Sequence, residues 1–231
     1  MIGCLCIHGF TGGPYEVEPL AQYLRERTNW LIETPCLPGH GEQLQLKGVT
    51  YDQWLQAAEE ELQKLLNKCD IVYLVGFSMG GVIAGYLATK YSVQKLVLLS
   101  AAVYYINPRQ MFSDIRGMVR DSFTGRLKEN PLFVRYKTKI IHTPLTATLE
   151  FRKLVSEIRP MMKEISVPTL IVQGEKDGIV PLKSAHYLYE TIRSPVKNLL
   201  FLPSSGHHIC HGPDRQQLFV AVEKFLKENL S

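Results

Sequence analysis

A serine with a glycine two positions to either side stands out first: Gly76-Phe77-Ser78-Met79-Gly80. A serine hydroxyl is a weak nucleophile until a base takes its proton. The apolar run before this serine and the small, apolar residues after it read as strand, sharp turn and helix. Such a turn lifts the serine Oγ above the end of a sheet, and the glycines remove side chains that would crowd it. The helix that follows points its N-terminus at the same place, where negative charge is favoured. Chance supplies Gly-x-Ser-x-Gly roughly 0.07 times in a chain of this size at ordinary glycine and serine usage. The strand–turn–helix setting therefore makes Ser78 the candidate nucleophile.

A serine nucleophile needs a base, and the base needs an orienting acid. The stretch from Leu202 to His211 supplies His207, His208 and His211. His207 is the expected base, because Gly206 before it lets the loop turn back towards the serine. Three histidines in five positions also raise a metal site. No carboxylate stands at helical spacing to complete one, so no metal is expected. The acid is expected at Asp177, just past the apolar run 169–173 and before Val180-Pro181. There its carboxylate can accept the Nδ1–H of a histidine and fix the tautomer. Glu175 is the rival and reads as a loop-surface carboxylate. His8, His40, His142 and His186 read as structural.

Attack on a carbonyl generates an oxyanion that needs two aimed donors. One is expected from the backbone N–H of Met79, directly after the nucleophile. The other is expected from the backbone N–H of Phe10, in His8-Gly9-Phe10-Thr11-Gly12-Gly13-Pro14, where Gly9 and Gly12 free the chain.

These residues need a scaffold that brings distant loops to one edge. Six short apolar segments, over 3–7, 31–35, 71–76, 95–100, 169–173 and 198–202, read as strands covered on both faces. Helical periodicity fills 15–27, 51–66, 80–91, 184–191 and 215–229. The alternation predicts an α/β fold with a mainly parallel sheet of about six strands flanked by helices. Between 106 and 165 no strand is legible. Met111, Phe112, Ile115, Met118 and Val119 have helical spacing, as do Leu149, Leu154, Val155 and Ile158. This predicts an inserted helical cap over 106–165 on a core made of 1–105 and 166–231, since a structureless loop that long is improbable. The cap's Met and Phe residues suit an adaptable apolar pocket, and its basic residues would favour substrates with anionic groups.

Composition narrows the classes. The 231 residues are 45% hydrophobic and 21% charged, enough for a packed core without staples. The net charge of +4 and the absence of any recognition motif argue against nucleic acid as a partner. The five cysteines are scattered and contain no Cys-x-x-Cys, which argues against a disulfide framework or a zinc knuckle. Cys4 and Cys6 read as small core residues in a reducing compartment. No signal peptide is legible, and the apolar run 96–103 is too short to span a bilayer. The reading is a cytoplasmic protein without stable membrane insertion; no motif speaks to its oligomeric state.

The motifs His8-Gly9-Phe10-Thr11-Gly12, Leu37-Pro38-Gly39-His40-Gly41, Gly76 to Gly81, Gly174 to Pro181 and Ser205-Gly206-His207 carry a resemblance. They resemble bacterial carboxylesterases of the thermostable Bacillus type and the related bacterial monoacylglycerol lipases, in the α/β-hydrolase superfamily. The resemblance covers nearly the whole chain, and Ser78, Asp177 and His207 stand in the order expected of that superfamily's triad. It implies Ser78 as nucleophile, Asp177 as acid, His207 as base, and Phe10 and Met79 as oxyanion donors. It implies hydrolysis of short- to medium-chain carboxylic esters or monoacylglycerols without a cofactor. The chain departs from the family in starting almost at the first catalytic strand, so a preceding edge strand of the family is expected to be absent or very short. Other chemistries on this fold, a C–C hydrolase or a menaquinone-pathway elimination, and a non-catalytic receptor are the competing readings.

Overall fold

The computed structural model describes residues 1–105 and 143–228. Their sheet has six strands: β1 (Ile2–Ile7), β2 (Leu31–Glu33), β3 (Ile71–Phe77), β4 (Lys95–Leu99), β5 (Thr169–Gly174) and β6 (Lys197–Leu202). The spatial order is β2-β1-β3-β4-β5-β6, and every neighbouring pair is parallel. The expected sheet is thus present, with small shifts at strand ends. β2 stops at Glu33 rather than 35, and Pro35 has no N–H to donate to a continued ladder.

Six α-helices lie among the described residues: α1 (Glu18–Arg27), α2 (Tyr51–Leu66), α3 (Met79–Lys90), α4 (Leu145–Ile158), α5 (Lys183–Thr191) and α6 (Arg215–Lys227). The strand side chains alternate between two apolar layers, as a sheet covered on both faces requires. Leu5, Ile7, Leu74, Leu96, Leu98 and Ile171 pack towards α2, α3, α4 and α5. Cys4, Cys6, Val75, Val97 and Val172 pack towards α1 and α6. The cysteines are free, and Cys4 and Cys6 share one sheet face as small buried groups.

Helix α3 is apolar nearly all round because it is covered nearly all round. The sheet lies on one side and α2 and α4 on others. Helix α2 is capped by Thr50, whose N–H the Gln53 Oε1 accepts at 3.0 Å in a capping box. At the far end of the molecule the buried Lys95 reaches the last turn of α6. Its Nζ donates to the helix-end carbonyls of Phe225 (2.6 Å) and Leu226 (3.2 Å) and to that of Glu228 (2.5 Å), just past the helix.

The first part of the expected cap, 106–142, lies outside the described residues, with Met111, Phe112, Ile115, Met118, Val119 and His142 in it. Its last part is α4 followed by the 3-10 turn Arg159–Glu164. Ala147, Phe151, Leu154, Val155, Ile158, Met162 and Ile165 join the same apolar layer as α2 and α3. Tyr51 ties α4 to the start of α2: its N–H donates to Glu150 Oε2 (3.2 Å) and its O–H to Glu157 Oε2 (2.8 Å). Among the described residues no helix is long and apolar enough to cross a membrane.

Candidate active site

The sheet order determines where chemistry can occur. The chain runs from β1 outward to β2, then crosses to β3 on the other side of β1. Loops leaving β1 and β3 therefore part in opposite directions at the C-terminal ends of these strands, the place where ligands of open α/β sheets bind. Ser78 follows β3 at this point, and the His8–Gly13 segment follows β1.

Ser78 has φ 54° and ψ −116°, a conformation costly for a residue with a side chain. The surrounding backbone holds it there. Its N–H donates to the Leu99 carbonyl at 2.9 Å, and its own carbonyl accepts Gly81 N–H at 3.0 Å and Ala102 N–H at 3.1 Å. The turn is possible because the chain approaches itself at two glycines. A Cβ on Gly76 would lie 2.2 Å from the Gly80 carbonyl oxygen, and one on Gly80 would lie 2.2 Å from that of Ile7. Gly80 thus seats the first turn of α3 directly against the end of β1. Met79 is the first residue of α3, so its N–H belongs to the helix-end donors that lack an intrahelical partner.

Asp177 and His207 converge on Ser78 from β5 and β6. The His207 Nε2 lies 3.0 Å from Ser78 Oγ, and the His207 Nδ1 lies 2.8 Å from Asp177 Oδ2. The Asp177 side chain is wholly buried. Its Oδ1 accepts the N–H groups of Ile179 (2.8 Å) and Val180 (2.9 Å), and its Oδ2 also accepts Gln173 Nε2 (2.7 Å). Burial alone would raise this carboxyl's pKa. The His207 contact and the two backbone N–H groups outweigh it, so the pKa lies below the ordinary carboxylate value. Asp177 is thus held as an anion against the imidazole. With a proton on Nδ1, Nε2 is free to accept the Ser78 O–H.

The loop bearing His207 is seated as tightly as the serine. Its backbone crosses Gly174 at the end of β5, where a Cβ would lie 2.4 Å from the Ser205 carbonyl oxygen. Asp214, at the start of α6, accepts the Ser204 N–H and the Ser205 O–H, each at 2.8 Å. Glu175, the rival acid, is exposed on the turn.

The β1 loop lies over the serine. A Cβ on Gly9 would stand 3.1 Å from Ser78 Cβ. His8 is wholly buried, and its Nε2 accepts the Leu37 N–H at 3.0 Å. That leaves Nδ1–H to donate to the Gly9 carbonyl at 2.9 Å. Gly12 N–H donates to the same carbonyl at 3.2 Å. In a trans peptide the N–H points opposite to the C=O, so these bonds also set the direction of the Phe10 N–H. The Phe10 ring stacks on Phe151 of α4 with centroids 5.0 Å apart and 7° between planes, and Trp54 and His40 border it. Tyr105 also packs against Phe151, with ring centroids 5.0 Å apart. Phe10, Trp54, Phe151 and Tyr105 thus form one aromatic cluster.

Of the remaining histidines, His40 Nδ1 lies 3.0 Å from the Pro38 carbonyl, His211 Nε2 lies 2.8 Å from that of Tyr15, and the His186 ring packs against Phe201. No group of three or more His, Cys, Asp or Glu side chains among the described residues is arranged to hold a metal ion. Sequence reasoning missed Glu16, a nearly buried carboxylate whose Oε2 accepts the Gly9 N–H at 2.9 Å. Its position in the first turn after a glycine-rich loop was the available signal.

A family model described as "Serine aminopeptidase, S33" matches residues 4–214. The thermostable monoacylglycerol lipase of Bacillus sp. (strain H-257) is 28% identical over 210 residues, covering 89% of this chain and 82% of the relative. The carboxylesterase of Bacillus subtilis (strain 168) is 25% identical over 230 residues, covering 97% and 92%. Among solved structures, one of two metagenome-derived lipolytic enzymes, LipS and LipT, superposes with a TM-score of 0.77 at 22% identity, covering 98% of this chain and 94% of that one. The monoacylglycerol lipase of Paleococcus ferrophilus gives 0.73 at 18% identity, covering 97% and 93%. These last two likenesses concern the fold. The chain belongs to the serine aminopeptidase S33 family, an esterase- and lipase-type group of serine hydrolases in the α/β-hydrolase superfamily.

Proposed function

We propose that this protein hydrolyses carboxylic esters of short to medium acyl chain, monoacylglycerols among them, through an acyl-enzyme on Ser78. The observation that carries the reading is the unbroken hydrogen-bond chain from Asp177 through His207 to Ser78. Its substrate class is supported by the names of the two Bacillus relatives. The half-buried rings of Phe10 and Tyr105, backed by the buried Phe151, offer an alkyl or acyl chain an apolar surface.

The geometry supports each step. His207 Nε2 takes the Ser78 proton as Oγ attacks the ester carbonyl. The N–H groups of Phe10 and Met79 receive the oxyanion, in a site where they need no reorganisation. Asp177 stabilises the imidazolium without itself accepting the proton. His207 then protonates the departing alcohol, and the tetrahedral intermediate collapses to the acyl-enzyme. Water, deprotonated by the same Nε2, attacks the acyl carbonyl and releases the acid and the free serine. Residues of the proposed cap, 106–165, select among substrates, and no cofactor enters the cycle.

The experiment is Ser78→Ala assayed against a p-nitrophenyl acyl series and a monoacylglycerol, with a fluorophosphonate probe on the unaltered protein. Turnover is expected to fall by about three orders of magnitude or more, with folding unchanged and the probe on Ser78 only. Full esterase turnover by clean Ser78→Ala protein would overturn the assignment.

A further inference from the structure

One buried ionisable group on this side of the sheet, Glu16, takes no part in the proposed cycle. It sits in the 3-10 turn Pro14–Glu16 that links the β1 loop to α1, and only 4% of it is exposed. A buried carboxylate is costly to keep, so its contacts indicate what it is kept for. Its Oε2 accepts the Gly9 N–H at 2.9 Å. The same carboxylate lies across Gly12, where a Cβ would come within 1.8 Å of Oε2. Its Oε1 faces His208 Nδ1 at 3.8 Å, on the residue next to His207.

We infer that Glu16 is a positioning residue for the hydrolytic reaction, holding the Gly9 backbone so that the Phe10 N–H keeps its aim at the oxyanion. This rests on the reading of Ser78 and Phe10 above. Two peptide planes are involved. Glu16 anchors the one before Gly9 by its N–H. His8 Nδ1 and Gly12 N–H anchor the one after Gly9 by its carbonyl. The Phe10 N–H turns with the second plane, and the first, held by Glu16, fixes the Gly9 backbone from which the second departs. Glu16 also faces the loop that carries His207, so oxyanion donor and base are referred to one side chain.

The test compares Glu16→Ala, Glu16→Gln and Gly12→Ala. Glu16→Gln keeps an oxygen for Gly9. Gly12→Ala keeps the carboxylate but drives it off its seat. Turnover is measured per active site, titrated with a fluorophosphonate, so that unfolded protein does not count. Affinity for a trifluoromethyl ketone, which forms an oxyanion adduct on the serine, is measured beside KM for the ester. Removing one oxyanion donor outright costs about 10²–10³ in kcat, and a misaimed donor costs part of that. Glu16→Ala and Gly12→Ala are expected to lose about ten- to a hundredfold in kcat per site, with KM within about threefold. The ketone should weaken by a similar factor, and Glu16→Gln should recover most of the loss. Unchanged kcat per site in Glu16→Ala and Gly12→Ala would overturn the inference, as would a loss equally large in Glu16→Gln. If Glu16→Ala does not fold, the other two variants decide. Failure of the unaltered protein to label at Ser78 would overturn the hydrolytic reading instead.

Discussion

Replacing Asp177 by asparagine changes no heavy-atom count in the side chain, yet it should nearly abolish turnover. The two oxygens have different partners. Oδ1 accepts two backbone N–H groups, from Ile179 and Val180, which an amide nitrogen cannot satisfy. The asparagine oxygen must therefore take the Oδ1 place, and its NH₂ must take that of Oδ2, facing His207 Nδ1. The amide then donates to Nδ1 and leaves the proton of neutral His207 on Nε2, the atom that must receive the Ser78 proton. A carboxylate-to-amide change of this kind costs about 10⁴ in kcat, or about 5.4 kcal/mol of transition-state stabilisation. The same NH₂ also meets the Gln173 donor, now 2.7 Å from Oδ2, so some stability is lost as well. The assay is kcat per fluorophosphonate-titrated site on a p-nitrophenyl ester. A loss of less than about tenfold would refute the reasoning about tautomer control. A pH dependence accompanies it. The folded Asp177 pKa lies below the unfolded value of about 3.9, so its stabilisation is complete above that value and is lost as pH falls through the folded pKa. The melting-temperature gap between unaltered protein and Asp177→Asn should therefore narrow on acidification below about pH 4; a constant gap would show that the carboxylate's charge is not what these donors hold.

Other perturbations separate stability from chemistry. Lys95→Met removes three hydrogen bonds to carbonyls at and just past the end of α6, at the end of the sheet opposite Ser78. It should cost about 1–3 kcal/mol in thermal or denaturant unfolding, with kcat per site unchanged. Gly174→Ala puts a methyl 2.4 Å from the Ser205 carbonyl oxygen and must move the loop carrying His207. It should lower kcat up to about 10²-fold, with slower fluorophosphonate labelling of Ser78 as the check. Ser78→Ala and the Glu16 and Gly12 variants complete the set.

Much of the scaffold was legible because buried parallel strands are short apolar runs and helices carry a 3.6-residue period. The strands expected over 71–76 and 169–173 correspond to β3 and β5. The glycines of the Ser78 turn announced a close approach, which the backbone at Gly76 and Gly80 bears out. What proved illegible depends on contacts between residues far apart in the chain. Nothing local marks α4 as part of the same apolar layer as α2 and α3, because burial is decided by what a helix meets. Glu16 looks in sequence like an ordinary acid in a turn, because its partner N–H belongs to a backbone folded back over it.

Residue types and their order in the chain determined which chemistry was available: a serine on a strand-to-helix turn, an acid after one strand, a histidine after another. The tertiary structure decided the rest. It put Asp177 rather than Glu175 within 2.8 Å of an imidazole, and His207 rather than His208 or His211 within 3.0 Å of the serine. The reason is that hydrogen bonding depends on ångström-scale distance and direction. Only the register of parallel strands, from β1 to β6, sets those for loops as far apart in sequence as 78, 177 and 207.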